Sequence, residues 1–167
     1  MADPKPIIAL AKELALGNLD RTAFLQGMAR EITQQLDCTR ASYWRYEDVL
    51  RSKIRLVTLY DAGTDEYVEG MVLSEDDFSP YFEAMRESDL IVAPDARSHP
   101  ATECFTELYF EPLNIFSLLD VGITVGDEPL GLFCCENVSF VKQWSDDDVN
   151  FLRQTAALIG MVLKNAN

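Results

Sequence analysis

The chain has 167 residues, of which 48% are hydrophobic and 25% are charged, and its formal net charge is -14. These values are typical of a soluble globular protein, and we interpret residues 1–167 as a single domain. The negative charge disfavours nucleic acid and anionic lipid as partners, because both attract proteins through Lys and Arg. No apolar run approaches the roughly 20 residues of a membrane helix, so no membrane partner is expected.

The cysteines lack the CxxC spacing of metal and redox sites, and two of them are adjacent. Charged residues interrupt the apolar N-terminal segment, which therefore does not resemble a signal peptide. Both observations favour a reduced, cytoplasmic protein. The cysteines are Cys38, Cys104, Cys134 and Cys135.

Two helices are predicted at the start of the chain. The first runs from about Pro4 to Leu16, with Asp3 as its N-cap and Gly17 as its C-terminal stop. Asp20 opens the second helix, whose apolar residues recur at steps of three and four and form a stripe that faces a core.

The pattern then changes to a period of two, which is typical of strands. Arg40–Glu47 and Lys53–Tyr60 predict a β-hairpin, and Asp65–Leu73 predicts a weaker third strand. A short buried strand is predicted at Leu90–Ala93. Ser117–Val138 predicts a second hairpin that turns through Gly-Asp-Glu-Pro.

Three further helices are predicted. Ser79–Pro80 has the N-cap and first-turn residues of a short helix. Pro100 begins another helix, which Pro112 stops. Ser145 and Asp148 have the spacing of a capping box and begin the last helix. Because tight hairpins lie at both ends of the strand set, we expect an antiparallel sheet with helices on its faces, an α+β domain.

Four segments in this order resemble a GAF domain of the bacterial sensor type. They are AFLQGMAREITQQLDCTRASYWRYE, YFEAMRESDLIVAPDARSHPAT, LNIFSLLDVGITVGDEPLGLFCCENV and QWSDDDVNFLRQTAALIGMVL. The resemblance covers the chain from about Thr22 onward. It implies a six-stranded antiparallel sheet, with the N- and C-terminal helices on one face. Short helices and loops would roof a small-molecule pocket on the other face.

The sequence departs from several subsets of this family. Gly122 stands where Pro is more frequent, and Asn137 stands where His is frequent. The Asn-Lys-x-Asp-Glu signature of cyclic-nucleotide binding is missing, as is the Gly-x-x-Cys-Gly element of the free methionine sulfoxide reductases. His99 and Cys104 are apart, whereas the bilin-binding subset carries a Cys-His pair. We therefore expect no cofactor, no metal and no catalytic residue.

The pocket, as the resemblance implies it, would take its contacts from aromatic residues and a few polar anchors, since ligand cavities are largely apolar. The alternative for these aromatic residues is ordinary core packing. Asp95 is alternatively an Asx-turn residue and His99 a residue at a helix start. The candidate ligand-binding residues are Tyr43, Tyr60, Phe82, Asp95, His99, Phe105, Phe116 and Asp120.

Alternation along the penultimate strand predicts which way Asp120 points. Phe116, Leu118 and Asp120 share one face, while Leu119, Val121 and Ile123 share the other. The second face is entirely apolar and is expected to meet the terminal helices, so Asp120 faces the pocket. By the same alternation, the side chains of the adjacent cysteines 134 and 135 point to opposite faces.

A buried carboxylate must be hydrogen-bonded or protonated, because an isolated one is costly. The expected partners of Asp120 are backbone N–H groups of the loop Asp95–Ser98, or Arg97. Asp120 would then chiefly tie the pocket roof to the sheet, with direct ligand contact as the alternative. On this interpretation Asp120→Ala costs roughly 1–3 kcal/mol, and Asp120→Asn costs less.

The favoured function is a non-enzymatic sensor or regulatory module that binds a small molecule. Such a module would signal to another protein in trans, unless it is one domain of a longer chain. A thiol-dependent reductase of the free methionine sulfoxide reductase type and a purely structural dimer module are the alternatives.

A homodimer is expected through the terminal helices, because the last helix carries two apolar stripes where one suffices to pack on the sheet. The first helix offers Ile7, Leu10 and Leu14 to the same interface. The first stripe is Val149, Leu152, Ala156, Ile159 and Leu163, and the second is Phe151, Thr155, Leu158 and Val162.

Overall fold

A computed structural model describes residues 1–165, so the last two residues of the predicted domain, 166 and 167, lie outside the described residues. The helices are α1 (Lys5–Ala15), α2 (Arg21–Leu36), α3 (Glu75–Ser88) and α4 (Asp146–Asn165). The strands are β1 (Arg40–Tyr46), β2 (Lys53–Asp61), β3 (Glu66–Val68), β4 (Val72–Ser74), β5 (Leu90–Ala93), β6 (Ile115–Val125) and β7 (Glu128–Val138).

The strands form one antiparallel sheet in the order β3-β2-β1-β7-β6-β5, and the short β4 also pairs with β2. This arrangement confirms the predicted α+β class and the predicted antiparallel sheet. The single third strand predicted at Asp65–Leu73 is wrong. The chain turns at Gly70, whose φ of +95° is accessible to glycine, and the segment divides into β3 and β4.

Helices α1, α2 and α4 contribute to an apolar core on one face of the sheet, and α3 contributes to a second core on the other. Leu119, Val121 and Ile123 belong to the first core, whereas Leu118 belongs to the second. The adjacent cysteines divide in the same way, with 135 in the first core and 134 in the second. The alternation predicted from the sequence is therefore confirmed.

The segment that covers the second core differs from the prediction, and we call it the roof. It consists of α3, a 3-10 turn at Glu103–Phe105 and a π turn at Thr106–Phe110. Helix α3 begins at Glu75 and leaves helical geometry at Phe78, where φ is -136° and ψ is 45°, so the predicted start at Ser79–Pro80 marks a kink. Pro at this position cannot supply a helical N–H bond, which explains the kink.

The helix predicted between Pro100 and Pro112 is wrong, since only the two short turns form there. A segment of this length bounded by prolines is too short to be a stable helix by itself. Its aromatic residues are instead held by packing in the second core, where Phe105 and Phe110 are buried.

The predicted ends of α1 and α4 are confirmed with one exception. In α4, the Ser145 backbone N–H donates to Asp148 at 2.9 Å and the Asp148 N–H donates to the Ser145 hydroxyl at 3.1 Å, which confirms the capping box. Gly17 follows α1 with a φ of +77°. The N-cap of α1 is Pro4 instead of Asp3, and the Asp3 side chain accepts from the backbone N–H of Lys5 at 3.0 Å. Within residues 1–165, none of the helices has the length and apolar character needed to cross a bilayer.

Candidate functional site

A small cavity lies between the sheet and the roof. Its volume is about 20 Å³, which is room for about one water-sized molecule. Its aromatic walls are Trp44, Tyr81, Phe105, Tyr109 and Phe110. The titratable acids and thiol that line it are Asp120, Glu136 and Cys134.

Strand pairing places the polar groups of the cavity side by side. Asp120 on β6 lies opposite Cys134 on β7, and Leu118 lies opposite Glu136. Asp120 and Glu136 are therefore diagonal neighbours on the same face, at a typical separation of about 7–8 Å between such positions. Glu136 in turn lies opposite Arg40 on β1. Two carboxylates thus line the same small cavity.

Asp120 is 1% exposed, and only one of its two oxygens is paired. The hydroxyl of Tyr81 donates to Oδ2 at 2.5 Å, while Oδ1 has no hydrogen-bond partner among residues 1–165. Burial raises the pKa of Asp120 to about 7, with the charge of Glu136 acting in the same direction and Tyr81 and Cys134 opposing it. An unpaired buried oxygen costs free energy, so Oδ1 is a site where a donor would be stabilised.

Tyr81 acts as a donor because it stays protonated. Burial raises its pKa well above the usual range, and the charge of Asp120 adds to this effect. Since Tyr81 lies on α3, its bond to Asp120 ties the roof to the sheet, as the sequence predicted. The predicted partners are wrong, however. Arg97 donates to the backbone oxygens of Ile115 at 2.9 Å and Phe110 at 3.4 Å, away from Asp120.

Glu136 belongs to a second polar cluster that continues from the cavity toward the sheet edge. Arg40 donates from Nε to Glu136 at 3.1 Å and from Nη1 to Asp61 at 3.1 Å. The Tyr109 hydroxyl also donates to Glu136, at 3.2 Å, and accepts from Arg40 at 3.2 Å. Burial raises the pKa of Glu136, although Arg40 opposes the shift. Burial acts to lower the pKa of Arg40, but Glu136 and Tyr109 outweigh it and raise that pKa.

Close backbone packing brings Trp44 to this site. Gly131 on β7 lies against β1, and a Cβ on this glycine would lie 1.9 Å from the backbone oxygen of Trp44. Only glycine permits this approach. The indole Nε1 donates to the hydroxyl of Ser42 at 2.8 Å, so the ring is oriented by a hydrogen bond within its own strand.

Two of the eight predicted ligand-binding residues, Phe105 and Asp120, line the cavity. Phe82 is buried in the same core without lining the cavity. Tyr43 lies on the opposite face, in the core beneath the terminal helices, where it contacts Phe133 with ring centroids 5.9 Å apart. The one-residue alternation of β1 explains this, because it is the next residue, Trp44, that faces the cavity.

The other four predicted residues lie outside the cavity. Tyr60 donates to Asp65 at 2.8 Å. Asp95 is exposed and accepts from Ser98 at 2.6 Å, and the Nδ1 atom of His99 accepts from the backbone N–H of Ala101 at 3.1 Å. Phe116 is half-buried and lies beneath the guanidinium of Arg97, 4.0 Å from ring centroid to Cζ. Asp95 and His99 thus make the contacts of turn residues, whereas Tyr60 and Phe116 lie on the strands β2 and β6.

Sequence reasoning missed four polar residues of the site: Arg40, Tyr81, Tyr109 and Glu136. Alternation from Cys134 would have placed Glu136 on the pocket face. The contacts of Arg40 and the two tyrosines join segments far apart in the chain, so local patterns carry no signal for them. In the described part of the chain, no group of three or more His, Cys, Asp and Glu side chains is arranged to hold a metal ion.

The burial of the thiols gives a testable prediction. We expect Cys104 to be the first thiol that maleimide labels in the native protein, because it is only half-buried. Its labelling should be slow, since burial raises its pKa. The other three cysteines are buried and are expected to react only after unfolding in urea. Peptide mapping by mass spectrometry checks this. Labelling of cysteine 134 or 135 as fast as Cys104 in native buffer would contradict it.

Comparison with known proteins identifies the family. The family model for the GAF domain matches residues 20–163, and the chain therefore belongs to the GAF domain family. A comparison with curated proteins finds none that matches. The family assignment supports a sensory or regulatory module, in agreement with the resemblance drawn from the sequence.

Solved structures of GAF domains share the fold. The phycocyanobilin-bound GAF domain from a cyanobacterial phytochrome is 12% identical with a TM-score of 0.81, and 99% of this chain and 96% of that chain are covered. A far-red-absorbing dark-state protein with bound biliverdin IXa is 15% identical with a TM-score of 0.78, covering 96% and 98% of the two chains. The GAF domain of a phosphoenolpyruvate-protein phosphotransferase from Acinetobacter is 13% identical with a TM-score of 0.71, covering 99% and 96%. Identities this low establish a shared fold and nothing about the ligand.

Proposed function

We propose that this GAF domain is a non-enzymatic sensor that binds a small molecule in the cavity around Asp120. The observation that carries the proposal is the free Oδ1 atom of a fully buried carboxylate on the wall of that cavity. Buried polar atoms without partners are rare in folded proteins and are concentrated at functional sites. A ligand that donates to Oδ1 would remove this cost.

The size of the cavity implies that binding and movement of the roof are coupled. A cavity of about 20 Å³ accepts a small group only, so anything larger displaces roof side chains. Next to the kinked α3, the roof contains only short turns between residues 103 and 110, which are easier to displace than a long helix. Binding would therefore also act on the Tyr81–Asp120 bond.

The strand that carries Asp120 offers a route for the signal. Asp120 faces the cavity, while its neighbours Leu119 and Val121 belong to the core that α4 shares. A displacement of β6 at Asp120 would be passed directly to α4 through this core. Output through α4 would reach a dimer partner or a signalling protein in trans, in a reduced cytoplasmic setting suited to the four free cysteines.

A screen for thermal stabilisation by small metabolites tests the ligand proposal. We expect at least one compound to raise the unfolding midpoint of the wild type, because a ligand that binds only the folded state stabilises it. The same compound is expected to have no effect on Asp120→Asn. A screen whose stabilising compounds all act equally on Asp120→Asn would place the ligand elsewhere.

The small size of the cavity favours a second candidate, a structural dimer module without a ligand. The two candidates differ in what the purified protein carries and binds. Mass spectrometry of the denatured protein checks for a released small molecule. If none is found, and if no compound in the screen stabilises the protein, the structural module is supported.

Thiol-dependent catalysis is disfavoured by the state of the cysteines. Burial is the largest cause that raises the pKa of Cys134, and contact with Cys38 is the largest that raises the pKa of Cys135. A thiolate is the reactive form of cysteine, so both groups are inert at neutral pH. Turnover of methionine sulfoxide that is lost in Cys134→Ser or Cys135→Ser would contradict the non-enzymatic assignment.

We also propose a dimer. Its interface uses fewer residues than the two apolar stripes of α4 suggested. Phe151 and Thr155 of the second stripe are buried within the chain, so they are unavailable to a partner. Leu158 and Val162 remain half-buried. Ile8 on α1 is 40% exposed, and a groove of about 240 Å³ between α1 and α4 separates it from Leu158. This groove and the exposed edge of α4 would form the interface.

We expect Met161→Glu to convert the dimer into a monomer. Met161 on α4 is 64% exposed, so the substitution places a charge in the interface while leaving the core intact. Leu108→Glu, at a residue 76% exposed on the roof, is the matched control and should remain dimeric. Light scattering at tens of micromolar measures both. A monomeric wild type would contradict the dimer, and a dimer that Met161→Glu leaves intact would contradict this interface.

A further inference from the structure

We propose that the ligand of the cavity is a small ammonium-type cation, either ammonium itself or the primary ammonium group of an amine. This inference rests on the proposed function and names the chemical class that the site would take. It is carried by the geometry of the cavity: two buried carboxylates, a free acceptor atom and an aromatic enclosure of about the volume of one water molecule.

The charge balance around the cavity is the first argument. Arg40 is bonded to both Glu136 and Asp61, and Asp120 is the diagonal neighbour of Glu136 on the same face of the sheet. In the described part of the chain, Arg40 is the only cationic side chain bonded to these carboxylates. Whenever Asp120 is ionised, these three carboxylates therefore outnumber the single cation Arg40. A cation in the cavity would offset this excess of negative charge, whereas an anion would be repelled at low dielectric.

The hydrogen-bonding pattern is the second argument. Oδ1 of Asp120 needs a donor. The groups already bonded to the two carboxylates are all donors: Tyr81 to Asp120, and Tyr109 and Arg40 to Glu136. An ammonium group is made of donors only and matches a wall of acceptors. A carboxylate or phosphate ligand would present acceptors to acceptors, and so it does not fit.

The aromatic walls are the third argument. Trp44, Phe105, Tyr109 and Phe110 surround the cavity. Faces of aromatic rings attract ammonium ions, most strongly where water is excluded. A metal ion is a poorer fit, because hard cations require several oxygen ligands and most of this wall is carbon.

Titration with methylammonium chloride and ammonium chloride at about pH 8 tests the inference. We expect the thermal midpoint to rise by roughly 3–5 °C at ten times the dissociation constant. Potassium chloride at equal ionic strength is the ionic control, since K⁺ is close to ammonium in size but has no N–H donors. Methanol is the neutral control and sodium formate the anionic one. The fluorescence of Trp44, isolated in a Trp144→Phe variant, should change with the same dependence on concentration.

Asp120→Asn is expected to abolish the response, because it keeps the size of the side chain and removes its charge. Glu136→Gln should weaken the response several-fold. Glu107→Gln changes an exposed carboxylate on the roof and should leave the response intact. If Asp120→Asn does not fold, the test rests on two other results. The response of Glu136→Gln should be weaker, and the fluorescence of Trp44 should change with ammonium concentration; the absence of both effects would contradict the inference.

The inference is overturned if potassium or methanol stabilises the protein as well as the ammonium ions do, or if Asp120→Asn responds like the wild type. No response to either ammonium ion also overturns it. The proposed function would survive if another compound stabilised the wild type through Asp120, since the ligand would then be neutral or of another charge. It would fail only if no compound acted through Asp120.

Discussion

Arg40→Met is expected to lower the free energy of unfolding by about 3–5 kcal/mol, the range typical of breaking a buried ion pair by removing one partner. The side chain of Glu136 is only 2% exposed, and Arg40 is its sole charged partner among the described residues. Without Arg40, the carboxylate keeps only the hydroxyl of Tyr109. Urea denaturation followed by circular dichroism measures the change.

The double variant Arg40→Met with Glu136→Gln is expected to recover much of the loss, because it no longer buries an unpaired charge. Arg55→Met is the matched control. It removes an ion pair with Glu47 in which the side chains are 52% and 34% exposed, so its cost should stay within about 1 kcal/mol. If Arg40→Met lowers the free energy of unfolding no more than Arg55→Met does, the cluster of Arg40 and Glu136 contributes little to stability.

The wild type is expected to lose about 2.5 kcal/mol of stability through Asp120 as the pH rises from about 5 to about 8. The pKa of Asp120 is about 7 in the folded protein, above its ordinary value of 3.8. A folded-state pKa that is raised means that the folded state holds the proton more tightly. The stabilisation is therefore complete below about pH 4 and is lost as the pH rises through 7.

Asp120→Asn should remove this part of the pH dependence, because asparagine stays neutral and still accepts from Tyr81. Glu136, whose pKa is also raised by burial, should leave a residual slope of the same sign in both proteins. Glu107→Gln, with an exposed carboxylate, should follow the wild type. Urea midpoints for the three proteins at both pH values provide the comparison, and parallel curves for wild type and Asp120→Asn would refute the assignment.

The alternation of side chains along a strand was sufficient to predict the faces on which Asp120 and the adjacent cysteines lie. The apolar run of Leu119, Val121 and Ile123 predicted which face meets the terminal helices, and this placed Asp120 on the opposite face. The same rule separated the two adjacent cysteines. These predictions held because one face of a strand must be buried, so a shift by one residue would expose every apolar side chain.

The partners of Asp120 could not be predicted in this way. Tyr81 lies on α3, 39 positions before Asp120 in the chain, and this helix is kinked at Phe78. The sequence suggested partners in a loop close to a predicted strand, and Arg97 lies in that loop. That guanidinium is instead held by backbone oxygens and the ring of Phe116. Contacts of this kind depend on tertiary packing.

Aromatic residues were the least predictable part of the pocket. Tyr43 and Trp44 are adjacent in a strand, and their faces follow from the register of β1 against β7, which the sequence does not state. The roof aromatics Phe105 and Phe110 lie in turns that lack a regular period, so no face could be assigned to them. A pocket made of turn residues leaves little periodic signal.

A crystal structure of the protein with the compound that raises its thermal midpoint most is the most direct test of a ligand site at Asp120. We predict density for that compound in the cavity, with a donor atom within about 3.2 Å of Oδ1 and with the side chains of the roof displaced around it. Density for the compound at another surface, with Oδ1 still facing an unfilled cavity, would contradict the account.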